Sequence, residues 1–224
     1  MERPDYIPEN YNRIKVVESL TALANACFGK KTPENCFLLP RQMKGDFDGL
    51  GQALAKRSRI KDGDFYSLGL RQIKNALTLP LQEDQKLALK QIFDDMVSIE
   101  ETFQGRAHSI HLRVVRGYAH SSATRFHTDG GNRLLCGYSL PVTECAKNED
   151  VIYTGYDNKY LLKANAQPFS FAPGDMWLQE GGRFPDKKPR NEEDPQHFIH
   201  RATEPAPGNV RLLLICETKA PSLS

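Results

Sequence analysis

The chain has 224 residues, enough for one full hydrophobic core and too few for a large multidomain enzyme. With 39% apolar and 26% charged residues it reads as globular, and 30 Lys and Arg against 28 Asp and Glu leave a formal charge of +2. So small a net charge supplies no global field that would require nucleic acid or an anionic membrane as partner. Five cysteines, Cys27, Cys36, Cys136, Cys145 and Cys216, are odd in number and form no CxxC pair. That usage fits reduced thiols, and hence a cytoplasmic protein, better than a disulfide framework or a structural zinc site. No apolar run approaches the ~18 residues that span a bilayer, and the opening MERPDYIPEN has no apolar signal core, so neither a membrane span nor secretion is expected.

Along the chain, apolar residues three and four apart predict helices over Val16–Phe28, closed by Gly29, over Phe47–Lys56 and over Ser67–Leu77. Cys36–Leu39 reads as a short strand. The clearest helix is Gln82–Phe103, in which Leu89, Ile92, Phe93, Met96, Ile99 and Phe103 make one stripe, with Pro80 before it and Gly105 after it. From Ser109 onward the texture changes to short runs bounded by Gly, Pro, Asn and Asp, which predict strands. They are Ile110–Tyr118, Arg133–Leu140, Val151–Thr154, Tyr160–Lys163, Phe169–Phe171, Met176–Gln179, His197–His200 and Val210–Glu217. Strands following a helical half predict an α+β fold in which helices back a closed or sandwiched antiparallel β-structure. The expected organisation is one domain, 1–105 a mainly helical buttress and 106–219 the barrel. Gly181–Gln196, dense in charge, Gly and Pro, reads as a long loop, either a lid or a solvated insertion.

All six histidines lie from position 108 onward, and one stands in Arg125-Phe126-His127-Thr128-Asp129. In extended backbone a His-x-Asp pair turns its imidazole and carboxylate to the same side, where both can grip one metal ion. His200 follows downstream, with His197 three residues before it as the alternative ligand, and Arg211 stands in the apolar run Val210–Cys216. A guanidinium in such a strand must reach solvent or meet a buried anion, because it cannot shed its charge.

His-x-Asp, a distal His and a strand Arg about ten residues on resemble the order of the iron(II)- and 2-oxoglutarate-dependent oxygenases. The resemblance covers about Ile110–Glu217 and includes the turn Ala172-Pro173-Gly174-Asp175 before Met176-Trp177-Leu178. The succession FHxD, RLL, Tyr, Gly-Asp, His-Arg and RLLL also looks like an uncharacterised bacterial family within that superfamily. It implies a double-stranded β-helix, a jelly-roll or cupin-like barrel in the C-terminal half. By carry-over, His127, Asp129 and His200 would hold Fe(II), Arg211 would take the distal carboxylate of 2-oxoglutarate, and O2 would be the oxidant. Tyr118 and Tyr138, on the flanking strands, are candidates to donate to the cosubstrate. Arg113, Asn132, Arg133 and Trp177 are candidates to touch substrate or steady the ligands.

The implied activity is hydroxylation of an unknown small-molecule or protein side-chain substrate. Nucleic acid is disfavoured, because the run after Arg211 lacks the second strand arginine usual in the superfamily's nucleic-acid demethylases. Two alternatives share the barrel: a cupin-like metalloenzyme that does not use 2-oxoglutarate, with Arg211 paired to Glu217 or Glu144, and a non-catalytic jelly-roll binding module.

Overall fold

The computed structural model describes residues 3–26, 33–117, 124–140, 142–155, 159–181, 197–203 and 208–218. Two sheets face one another, with helices packed on the outside of the larger one. The first half of the chain supplies β1 (Ile14–Val16), α1 (Leu20–Ala24), β2 (Cys36–Leu39), α2 (Phe47–Arg57), β3 (Phe65–Gly69), α3 (Leu70–Ala76) and α4 (Glu83–Phe103). The second half supplies β4 (Ala107–Arg116), β5 (Phe126–His127), β6 (Arg133–Gly137), β7 (Glu144–Ala146), β8 (Val151–Tyr153), β9 (Lys159–Leu162), β10 (Phe169–Ser170), β11 (Met176–Gln179), β12 (Ile199–Arg201) and β13 (Val210–Thr218).

The major sheet runs β1-β2-β11-β6-β13-β4-β3 and the minor sheet β10-β7-β12-β5-β9-β8. Every pairing except β1 with β2 is antiparallel. From β4 to β7 the chain alternates between major and minor sheet, and it does so again from β10 to β13. That alternation is the double-stranded β-helix. Among the described residues no helix is long and apolar enough to cross a membrane.

Strand alternation gives each long strand of the major sheet two different faces. On β13, Val210, Leu212, Leu214 and Cys216 join the helical residues Leu50, Leu54, Leu89, Ile92 and Met96 in one core. Leu213 and Ile215 turn the other way, into a second core with Trp177, Phe171, Phe198 and Leu135 between the sheets. The helix that backs the sheet, α4, lays Ala88, Leu89, Ile92, Met96, Ile99 and Phe103 against it as one buried stripe. Gln85 reaches back to the Gln82 backbone N–H at its start, and Gly105, at φ 71°, turns the chain out after its end.

Besides its helices, the first half contributes β1, β2 and β3, which extend the major sheet at both edges. Over Ser67–Leu77 the expected helix splits. Phe65–Gly69 pairs with β4, and the helix starts only at Leu70, after Gly69. Leu68 serves both patterns, since it fits a helical stripe and an inward strand position alike. Val16–Phe28 also shortens to a strand end and the helix α1, whose cap is the Ser19 side chain accepting from the Ala22 N–H. The expected helix end at Gly29 lies outside the described residues, as does the loop 182–196.

Candidate metal centre and its barrel interior

Pairing between β5 and β12 sets His127 directly opposite His200. Opposed residues of an antiparallel pair share a face, and the two rings lie 4.6 Å apart between centroids. Asp129, two residues past His127, returns to the same side and is 8% exposed. One ligand atom from each of His127, Asp129 and His200 lies within 4.8 Å of the others. His197, the alternative distal residue, stands outside this group, with its Nδ1 4.0 Å from Glu180 Oε2.

His127 Nδ1 is 2.8 Å from the Arg125 carbonyl oxygen, which only accepts, so Nδ1 donates there and Nε2 is the nitrogen left for a metal. Burial pushes His200 down to about 4, against the raising effect of Asp129, so its imidazole is neutral near pH 7. His200 Nε2 then faces Asp129 Oδ2 at 3.5 Å. Two imidazole nitrogens and a carboxylate form the donor set of a two-histidine, one-carboxylate site, whose remaining positions stay open to other ligands.

Asp129 is fixed from both oxygens. Arg133 Nη1 donates to Oδ1 at 2.6 Å, and Gln179 Nε2 donates to Oδ2 at 2.7 Å. Gln179 is oriented in turn by Trp177, whose indole N–H donates to its Oε1 at 3.0 Å. Trp177 is 1% exposed, so it acts on Asp129 through Gln179 and has no surface for a substrate. Sequence reasoning did not single out Gln179; the signal was its place two residues after Trp177 at the end of a strand that is otherwise apolar. Asn132 Oδ1 accepts from the Gly181 N–H at 3.0 Å, which ties the turn after Asp129 to the end of β11. The approach there is backbone on backbone: a Cβ on Gly181 would stand 2.1 Å from the Gly131 carbonyl oxygen. A cleft of about 510 Å3 opens beside this turn, bordered by His108, Gly130, Gly131, Arg133 and Glu217.

Arg211 shares the strand face of Leu213 and Ile215, so it points between the sheets. It is 6% exposed, and its Nε and Nη1 have no partner among the described residues. Burial, and after it the neighbouring Arg113, lowers its pKa to about 10, and it stays charged at neutral pH. The two carboxylates considered as its partners are engaged elsewhere: Glu217 accepts from Arg133 at 3.2 Å and Glu144 from Arg201 at 2.6 Å. A buried guanidinium without an anion is costly, and what Arg211 lacks among the described residues is a negative charge.

Tyr138 is a correction. It lies on the helix-facing side of the major sheet, stacked on Phe47 at 5.3 Å, and its hydroxyl donates to Asp95 Oδ2 at 2.7 Å. It therefore faces away from the barrel interior, because the strand parity that sends Leu135 inward sends Tyr138 outward. Tyr118 lies outside the described residues. Arg113 does face inward, opposite Leu213, with its guanidinium over the Phe65 ring at 4.8 Å.

No family model matches the sequence, and no curated protein does. Several solved structures are similar in chain path. A full-length Neurospora crassa protein in complex with alpha-KG and 5-formyluracil aligns over 100% of this chain and 89% of that one, at 12% identity and a TM-score of 0.44. The dioxygenase for auxin oxidation from rice aligns over 93% and 84%, at 12% identity and 0.40. A Pseudomonas putida prolyl-4-hydroxylase aligns over 91% and 96%, at 11% identity and 0.36.

Proposed function

We propose that the protein is a non-haem Fe(II)- and 2-oxoglutarate-dependent oxygenase that hydroxylates an organic substrate. The observation that carries this reading is the buried, anion-free guanidinium of Arg211, which opens into the same interior as the His127, Asp129 and His200 donors. A dicarboxylic 2-oxo acid satisfies both ends at once, its oxo-acid end at the metal and its distal carboxylate on Arg211 through a charge-assisted pair. Ferrous iron with 2-oxoglutarate and O2 supplies oxidative decarboxylation of the cosubstrate coupled to oxidation of a substrate C–H bond.

The protein's own groups do the positioning. His127 and His200 each offer a ring nitrogen, and Arg133 and Gln179 prevent Asp129 from rotating away. Trp177, Phe171 and Phe198 close the interior against water beneath the metal ligands. No titrating acid or base is needed at the reacting carbon, which accords with the lack of a free carboxylate on the described interior face.

Calorimetry on metal-loaded protein tests the assignment. Wild type should bind 2-oxoglutarate, Arg211→Ala should bind it at least 100-fold more weakly while still binding metal, and His127→Ala should lose the metal. Unchanged 2-oxoglutarate affinity in Arg211→Ala overturns the proposal.

A further inference from the structure

Beyond the metal centre, the described interior holds one more cation without an anion. Arg113 stands on β4, diagonally across from Arg211 on β13, since Arg211 pairs with Val115 and Leu213 with Arg113. Its Nε is buried and without a hydrogen-bond partner, and among the described residues its guanidinium makes no ion pair: Asp129 and Glu217 act on it only at longer range, and it rests on the Phe65 ring. Arg133, the third guanidinium of this face, is already matched by Asp129 and Glu217. A dicarboxylate cosubstrate brings one charge to the metal and one to Arg211, and leaves Arg113 unmatched.

The surroundings of Arg113 describe the rest of a ligand. The major sheet ends at β3, beyond β4, and the minor sheet ends at β8, beyond β5 and β9. Phe65 on β3 is 58% exposed on the inward face. Leu161, two residues past the Lys159 that pairs with His127, and its cross-strand partner Ile152 carry that face outward on the minor sheet, 61% and 55% exposed. Their neighbours Val151, Tyr160 and Leu162 pack on the other side, so these two are not the outer surface of the sheet. Ser67 and His111 complete the wall beside Arg113, and burial together with Arg113 keeps His111 lowered and neutral. An apolar surface with one guanidinium at its inner end matches an amphipathic acid.

We propose that Arg113 is the substrate-recognition residue of this site and that the substrate carries an oxyanion, a carboxylate or a phosphate, on an apolar body lying between β3 and the β8–β9 hairpin. This rests on the oxygenase reading in one respect only, that 2-oxoglutarate occupies Arg211.

The test uses Zn(II)-loaded, full-length protein and 19F line broadening of three probes: 4-fluorobenzoate, 4-fluorophenyl phosphate and the neutral isostere 4-fluorobenzamide. With 2-oxoglutarate saturating, wild type should bind at least one of the two anions tenfold or more tightly than the amide, and the stronger of them identifies the oxyanion. Arg113→Gln should lose that preference while its 2-oxoglutarate affinity stays within threefold of wild type, which also reports that the variant is folded. Equal binding of acid and amide, or no binding of either anion, overturns the proposal. So does a tenfold loss of 2-oxoglutarate affinity in Arg113→Gln, because Arg113 would then belong to the cosubstrate clamp. If wild type binds no 2-oxoglutarate, the oxygenase reading fails by itself. The contrast between acid and amide, measured without cosubstrate in wild type and Arg113→Gln, then still decides the role of Arg113.

Discussion

Tyr138 separates a structural from a cosubstrate role in a single substitution. Its hydroxyl donates to Asp95 Oδ2, while Asp95 holds Arg41 through two bonds of 2.6 and 3.0 Å. Arg41 also donates from Nε to the Gly174 carbonyl at 2.8 Å, so the cluster fastens α4 to the turn before β11. Side-chain exposures of 18% for Arg41 and 14% for Asp95 place the pair largely out of water. Removing one partner of such a pair strands the other, at roughly 3 kcal/mol for Asp95→Ala. For a chain of this size that lowers the melting temperature by roughly 6–12 °C. Tyr138→Phe removes one hydrogen bond to a charged group and keeps the ion pair, so about 1.5 kcal/mol, or roughly 3–6 °C, is expected. The double variant should fall short of the sum, because both substitutions act on the same carboxylate. Thermal melts of the three variants, with 2-oxoglutarate titrations alongside, give the result. Tyr138→Phe should lose stability and keep its cosubstrate affinity. A variant that melts within 1 °C of wild type but binds 2-oxoglutarate tenfold more weakly would refute the placement of Tyr138 behind the sheet.

The metal site makes further demands. Gln179→Leu removes a hydrogen bond to Asp129 and the partner of the Trp177 indole, and should weaken metal binding by about 10–100-fold in a chelator competition. Adding divalent metal at 100 times its dissociation constant should stabilise wild type by about 2.7 kcal/mol. That rise in melting temperature should vanish in His200→Ala and persist in His197→Ala, and the reverse result would exchange the two histidines. Gly181→Ala should weaken metal binding more than it lowers the melting temperature, since its Cβ would collide with the Gly131 backbone in the turn that follows Asp129. A variant with unchanged metal affinity would mean that the turn yields without moving Asp129.

The sequence was most legible where one periodicity dominated. The helix expected over Gln82–Phe103 is Glu83–Phe103, and the strand expected over Met176–Gln179 has those bounds. Legibility failed where elements were short or a residue served two patterns. Two-residue β5 and three-residue β7 carry too few positions to show an alternation, though β5 holds His127. For the site, the grouping of His127 with Asp129 was readable because the two candidates stand two residues apart, at the end of β5 and just past it. Gln179 was not, because its role depends on an approach across 50 residues that spacing along the chain cannot show. Tyr138 failed for a narrower reason: a flanking strand brings a residue near the site only on one of its two faces, and composition did not reveal which.

That last point bears on the whole interior of the barrel. The major sheet has apolar residues on both faces, so hydrophobicity alone cannot tell inside from outside along β13 or β4. What distinguishes the faces is the polar residues. On the helix side of these two strands the described positions Leu112, Val114, Leu212, Leu214 and Cys216 need no partner beyond packing. On the barrel side stand His111, Arg113, Arg211 and Glu217, at a cost in desolvation that packing does not return. Arg133 and Glu217 satisfy one another next to Asp129, whereas Arg113 and Arg211 make no ion pair among the described residues. On the proposed reading, the two cations that no described carboxylate pairs with, beside the His127, Asp129 and His200 group, await ligands that bring the missing charge. Filling those positions with Leu should therefore stabilise the protein against heat while abolishing its binding of acids, the opposite of what a structural ion pair would give.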